Sequence, residues 1–299
     1  MISIKNWIAW ALLSTFFAGL TAILAKIGMK NVLRCGLGLV LTVVATLIGG
    51  CGSLPSGDRW GEDAIWPVSG QRIIKAAKDA LLDPQTWVPA AGALVFAIDD
   101  WDHKASDWAT EHTPIFGSQK DAKQASDDLW SILKAELLVT ALATPSGDDP
   151  QQWAVAKAKG LAVEYGAIAV NGYTTDWIKD GVGRQRPNGD DYKSFPSGHV
   201  SSSFAHTTLS NRNFDSIVMP KGIRRACQIS NLALAGGVAW ARVEAKAHYP
   251  SDVLAAAALG HFLTAFIYDA FMNLPENSPI DVAITPLDGG GALSVAFCF

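Results

Sequence analysis

The chain is short of sulfur and of positive charge. Its 299 residues include four cysteines, none in a CxxC pair, and carry a formal net charge of −4 with a pI near 5.8. No Cys/His spacing suits zinc, so no metal and no cofactor is expected. Cys35 and Cys51 lie in an apolar N-terminal region, which leaves Cys227 and Cys298 as the one pair the folded part could join; the sequence does not say whether they pair. The acidic balance and the lack of a Lys/Arg run argue against a nucleic-acid partner, because such proteins neutralise phosphates with a basic face. β-Branched alternation is scarce before the C-terminus, which excludes an all-β architecture.

What is present begins with two apolar runs. Residues 7–25 are long enough to cross a bilayer. From Met29 a basic start (Lys30, Arg34), an apolar run from Leu37 to Ile48 and small residues before Cys51 follow the order of a secretory signal. Residues 1–28 are read as a membrane helix or as sequence upstream of a true start at Met29, and 29–51 as a signal segment. Ile48-Gly49-Gly50-Cys51 resembles the lipobox of bacterial lipoproteins, which implies lipidation of Cys51; the competing reading is a membrane helix that happens to contain a cysteine. If both runs stay as a hairpin, Lys26, Lys30 and Arg34 mark the loop between them as cytoplasmic. Either way everything after Cys51 is expected on the exterior side of a bacterial cell envelope, held to a membrane.

Residues 52–70 are rich in Gly, Ser, Pro and Asp and read as a linker. Helical periodicity then appears over about 71–82, 86–98, 120–143, 150–178, 197–209, 222–240 and 251–273, so the fold class is mainly α, a helical bundle over 71–275. Asp99, Asp100, Asp102 and His103 read as a polar loop after Ile98. Lys157, Lys159 and Glu164 read as one charged face of an amphipathic helix. Val253–Asn273 has only His261 and Asp269 as ionisable groups and is taken as a buried central helix in preference to a membrane span. Residues 276–299 form a tail or a short β-hairpin turning at Asp288-Gly289-Gly290-Gly291.

Three clusters carry chemistry: Lys179 with Arg186-Pro187 after six residues; Pro196-Ser197-Gly198-His199; and Arg242, then His248 after five residues and Asp252 after three more. Their order and spacing resemble the signature of the type 2 phosphatidic acid phosphatases and vanadium haloperoxidases. Ala241 departs from it, standing where that family usually has serine. The resemblance implies a helical bundle of that kind and a phosphatase acting on a phosphorylated small molecule or a lipid phosphate.

The residue types suit that chemistry on their own. Phosphoryl transfer spreads charge over three equatorial oxygens, and Lys179, Arg186 and Arg242 can neutralise it. Pro196 reads as a helix start with Ser194 as its cap, so the Ser197 and Gly198 amides would face an anion at a helix N-terminus. His199 beside them is placed to protonate a leaving alkoxide. Pro250 reads as another helix start, which would let Asp252 reach back to the Nδ1 proton of His248 and free Nε2 for attack on phosphorus. Arg184 and Lys193 flank the signature as anion attractors, and His206 falls on the same predicted face as His199. The competing functions are a vanadate-dependent haloperoxidase and an inactive envelope lipoprotein.

Overall fold

The computed structural model describes residues 50, 52–54, 57–98 and 100–272 and, as backbone, 280–287 and 290–297. Among these are eight helices: α1 (Gly70–Leu82), α2 (Pro84–Phe96), α3 (Trp101–His112), α4 (Gln119–Ala143), α5 (Pro150–Val182), α6 (Gly198–Ser216), α7 (Lys221–Glu244) and α8 (Pro250–Phe271). Strands β1 (Ile280–Leu287) and β2 (Gly290–Phe297) pair antiparallel, Ile280 opposite Phe297. Cys35, Cys51, Asp99 and Cys298 lie outside the described residues, so the lipidation site and the Cys227–Cys298 pairing rest on sequence.

Local sequence sets most helix starts. Ser69, Asp83, Ser118 and Asp149 each accept a backbone N–H of the following turn, as for Gln85 N to Asp83 Oδ1 at 2.8 Å and Gln152 N to Asp149 Oδ1 at 2.9 Å. Pro84 and Pro150 occupy first-turn positions where no amide is needed. Gly183, at φ 58°, ends α5 in the left-handed conformation that glycine adopts without a Cβ clash.

Helix α8 is the centre of the bundle, packed by α1, α2, α5 and α6. It is the one helix among the described residues long and apolar enough to cross a membrane, yet over half of its most apolar window is buried inside the protein. Gly260 explains how closely α6 approaches it: a Cβ there would lie 2.2 Å from the Ser201 carbonyl oxygen. Leu129, Leu133, Val200, Phe204, Val238 and Ala256 fill the core near one pole, and Trp60, Leu137, Leu209, Tyr268 and Met272 near the other.

Four sequence expectations change. The segment expected as a linker is packed: Trp60 is fully buried, its amide donates to the Pro145 carbonyl and its Nε1 to the Tyr268 hydroxyl at 3.0 Å. Gly160 makes room for that indole, since a Cβ would come within 2.2 Å of it. The polar loop after Ile98 is instead helix α3, whose buried side includes Asp102, Ser106 and Thr110, so no apolar stripe announces it. Lys157 and Glu164 are buried, not solvated. Lys157 Nζ donates to the Ala141 and Thr144 carbonyls at 2.6 and 2.5 Å, satisfying the C-terminus of α4. Burial pushes the Glu164 carboxyl up to about 8, so it serves as a neutral polar group in the core. Finally, α6 runs seven residues past its expected end because Arg212 and Asn213 find partners, Asp269 Oδ2 at 2.6 Å and Thr140 Oγ1 at 3.3 Å.

Candidate active site

Helices α5 and α7 end, and α6 and α8 begin, at one pole, so the three signature clusters meet there although about seventy residues separate Lys179 from Asp252 in sequence. Lys179, in the last turn of α5, brings its ammonium to 3.3 Å from where a Gly198 Cβ would stand, so any side chain at 198 would crowd it. Arg186, on the loop after α5, sets its Nη1 3.4 Å from His248 Nε2 and is held by Asp191 Oδ1 on its Nε at 2.7 Å. Arg242, in the last turn of α7, is buried with its Nε unpartnered and Nη1 3.4 Å from Ser126 Oγ.

His248 is 1% exposed and donates Nδ1–H to the Ser194 carbonyl at 2.6 Å. The sequence reading had Asp252 accept that proton. Asp252 instead accepts from Ser194 Oγ at 2.5 Å, the Tyr249 amide at 2.9 Å and Arg184 Nη1 at 2.7 Å, so it reaches His248 only through Ser194. The capping geometry is as expected, with Asp252 reaching back to the amide before its helix, but that geometry consumes the oxygen which would have met the imidazole. Burial first, then the fields of Arg242 and Arg186, hold the His248 imidazole well below its ordinary pKa. It is therefore neutral, with Nδ1 the protonated nitrogen and the Nε2 lone pair turned toward the cations.

The Pro-Ser-Gly-His cluster also differs in detail. Helix α6 begins at Gly198 with Ser197 as its N-cap; Ser194, the expected cap, serves His248 and Asp252. The Ser197 amide is taken by the Asp252 carbonyl at 3.3 Å, so it is not free for an anion. The Ser197 hydroxyl, by contrast, is buried with no partner, and the first-turn amides from Gly198 onward have none within the helix. Ser197 Oγ and Arg242 Nε, two of the buried donors without a partner among the described residues, both lie at this pole, where an oxyanion could accept from them.

His199 stands at the rim, its Nε2 3.0 Å from Asp127 Oδ1 and its ring against Trp130 at 4.7 Å between centroids. Burial and then Arg242 lower its pKa, while Asp127 opposes the shift. Burial also lowers the Lys179 ammonium, reinforced by Arg186 and Lys193 and opposed by Asp176. Burial leads in both shifts, and the neighbouring cations add to it.

Arg184 was expected to attract anions from the flank. Instead it joins the supporting layer: Nη1 donates to Ser251 Oγ and Asp252 Oδ1, Nη2 to Asp102 Oδ2 at 2.8 Å, and the guanidinium lies 4.1 Å over the Tyr249 ring. Asp102 further accepts the Ser251 amide at 2.8 Å. Lys193 stays at the exposed rim beside Asp180, and His206 is buried with Nδ1 on the Ser202 carbonyl at 2.7 Å, away from the cations. Asp102, Asp127 and the Ser194 carbonyl were missed from sequence. Nothing local marks Asp127 as a partner of His199, 72 positions away, or Asp102 as a partner of Arg184 and Ser251, 82 and 149 positions away.

Residues 162–275 match the family model described as the PAP2 superfamily. This segment is a PAP2 superfamily domain. The match begins within α5 and ends just beyond α8, so it contains all three clusters and leaves α1 to α4 outside. A probable lipid phosphate phosphatase 4 of Arabidopsis thaliana is 31% identical over 142 residues, 36% of this chain and 46% of that relative. The chain thus matches under half the length of that curated relative. No solved structure matches the chain. The PAP2 domain is framed by residues it does not itself supply: Asp102 and Asp127 come from α3 and α4.

The Asp127 contact makes a direct prediction. In an NMR titration the His199 imidazole should have its midpoint below 6.5, and Asp127→Asn should lower it further, because the carboxylate is the group that raises it. A midpoint unchanged or raised in the variant would remove Asp127 from the site.

Proposed function

We propose that the chain is a metal-independent phosphatase that hydrolyses phosphate monoesters, lipid phosphates among the candidates, through a phosphohistidine on His248. The observation that carries this reading is the state of His248: buried, neutral, its Nδ1–H given to the Ser194 carbonyl and its Nε2 turned to Arg186. That lone pair would form the P–N bond as the ester P–O bond breaks, with His199, starting as the imidazolium, giving its proton to the departing alkoxide and becoming neutral. Water then attacks phosphorus, His199 takes its proton, and the P–N bond breaks to return neutral imidazole. His248 Nδ1 keeps its proton throughout, and the Ser194 carbonyl that accepts it offsets the positive charge on the phosphorylated ring.

Lys179, Arg186, Arg242, Ser197 Oγ and the Gly198 amide are the proposed phosphate ligands, and Asp252 positions Ser194. Three fixed cations take the part that metal ions play in other phosphoryl-transfer enzymes. Sequence supports membrane attachment through the N-terminal runs, with Cys51 as the proposed lipidated residue and the bundle on the exterior side of a bacterial envelope. Family and relative both support a phosphatase.

The test is hydrolysis of a chromogenic aryl phosphate and of short-chain phosphatidic acid, with chelator and with vanadate. Turnover that resists chelator and is inhibited by vanadate is expected. Loss of activity to chelator would overturn the metal-free step, and no turnover of either ester would overturn the phosphatase reading.

A further inference from the structure

Both ends of the bundle leave it at the pole opposite the phosphate cradle. At the start, Gly50 is buried against the junction of α4 and α5: its carbonyl accepts the Ser146 amide and Trp153 Nε1, both at 3.1 Å, and a Cβ on it would lie 2.4 Å from the Leu142 oxygen. Gly147 N donates to the Gly52 carbonyl at 2.7 Å, so the chain stays pinned just after residue 51 even where processing at a lipidated Cys51 removes Gly50. At the end, the Phe271 carbonyl accepts the Ile65 amide at 3.1 Å and Tyr268 meets Trp60, which places the close of α8 at the same pole.

Helix α5 measures the separation. It runs unbroken from Trp153, beside Gly50, to Lys179 at the cradle, and a rise of ~1.5 Å per residue makes that path about 40 Å. A flexible linker would let the cradle swing back to the bilayer. The packing of Gly52 and Trp60, present whether or not Gly50 is retained, removes that slack.

We propose that the cradle opens away from the membrane that holds the N-terminus, and that its substrate is a water-soluble phosphomonoester and not a lipid phosphate in the same leaflet. This rests on the proposed membrane attachment and on the phosphatase reading. A headgroup layer is only roughly 5–8 Å deep, so a lipid phosphate would have to leave the bilayer almost entirely to reach Lys179 and His248. The cost of that transfer grows with every methylene removed from the membrane. A soluble ester meets no such cost and finds the cations facing water.

The experiment uses the membrane-attached chain in vesicles. One arm compares an aryl phosphate with long-chain phosphatidic acid in the protein's own bilayer, before and after detergent. The aryl phosphate should be hydrolysed at the same rate in both, and phosphatidic acid at least ~10-fold faster once dispersed. Equal rates on bilayer and dispersed phosphatidic acid would overturn the proposal. A second arm reads orientation without activity, with a dye at Asp190→Cys near the cradle or Gln151→Cys near Gly50, in a background with Cys35, Cys227 and Cys298 replaced by serine. Nitroxide lipids should quench the Gln151→Cys dye and spare the Asp190→Cys dye. Equal quenching would overturn the proposal, and is the outcome expected if exposed Tyr173 and Trp177 laid the flank of α5 on the bilayer. Absence of turnover on every ester would end the phosphatase reading and the substrate class with it, while the dyes would still decide the orientation.

Discussion

His248→Ala is expected to lower kcat/KM by about 10⁴-fold or more, the scale seen when a covalent nucleophile is removed, while vanadate binding falls far less. The difference follows from geometry. His248 is the buried neutral imidazole whose Nε2 faces the cations, but the charge that would hold an oxyanion sits on Lys179, Arg186 and Arg242. Removing the ring deletes the group that forms the P–N bond and leaves the three cations. Because the ring is buried and bonded to the Ser194 carbonyl, circular dichroism should accompany the kinetics to establish that the variant is folded. Near-normal turnover in a folded variant would overturn the nucleophile; loss of vanadate binding equal to the loss of rate would show that the imidazole binds and does not attack.

Arg184→Ala should destabilise the protein by about 3–5 kcal/mol, the usual result of stripping the partner from buried charges. Asp252 is fully buried and Asp102 nearly so, and Arg184 is the cation that bridges them. Without it two carboxylates face each other across Ser251, and the Asp252–Ser194–His248 chain loses its anchor. Urea unfolding would read the stability loss. Asp102→Asn in the Arg184→Ala background should recover part of it, since one of the two uncompensated charges is then gone, and this non-additivity is the signature of a shared network. A loss under about 1 kcal/mol would mean that solvent replaces the guanidinium and that the network does not hold the site.

How legible the molecule was depended on whether a feature is local or assembled. Seven of the eight helices could be placed because their caps and apolar periods are local; α3 escaped because its inward face is aspartate, serine and threonine, whose burial is paid for by partners on α8 and the α5–α6 loop. Trp60 and the segment around it read as a linker because Gly, Ser and Pro dominate the composition, whereas one indole seated against Gly160 and Tyr268 fixes it. Lys157 and Glu164 read as a solvated face because a sequence shows charge but not the carbonyls or the burial that neutralise it.

By itself the sequence determined the mainly helical class, the cation and histidine sets and their order along the chain, because residue types and short spacings are properties of a few consecutive turns. Only the tertiary structure decided that Ser194 stands between His248 and Asp252, that Asp127 faces His199, that Arg184 supports the site from behind, and that the chain enters and leaves at the far pole from the cradle. Each of these is a meeting of residues dozens of positions apart, set by which helix ends the packing of α5 to α8 brings together, and hydrogen-bond geometry at such meetings has no signature in a linear pattern.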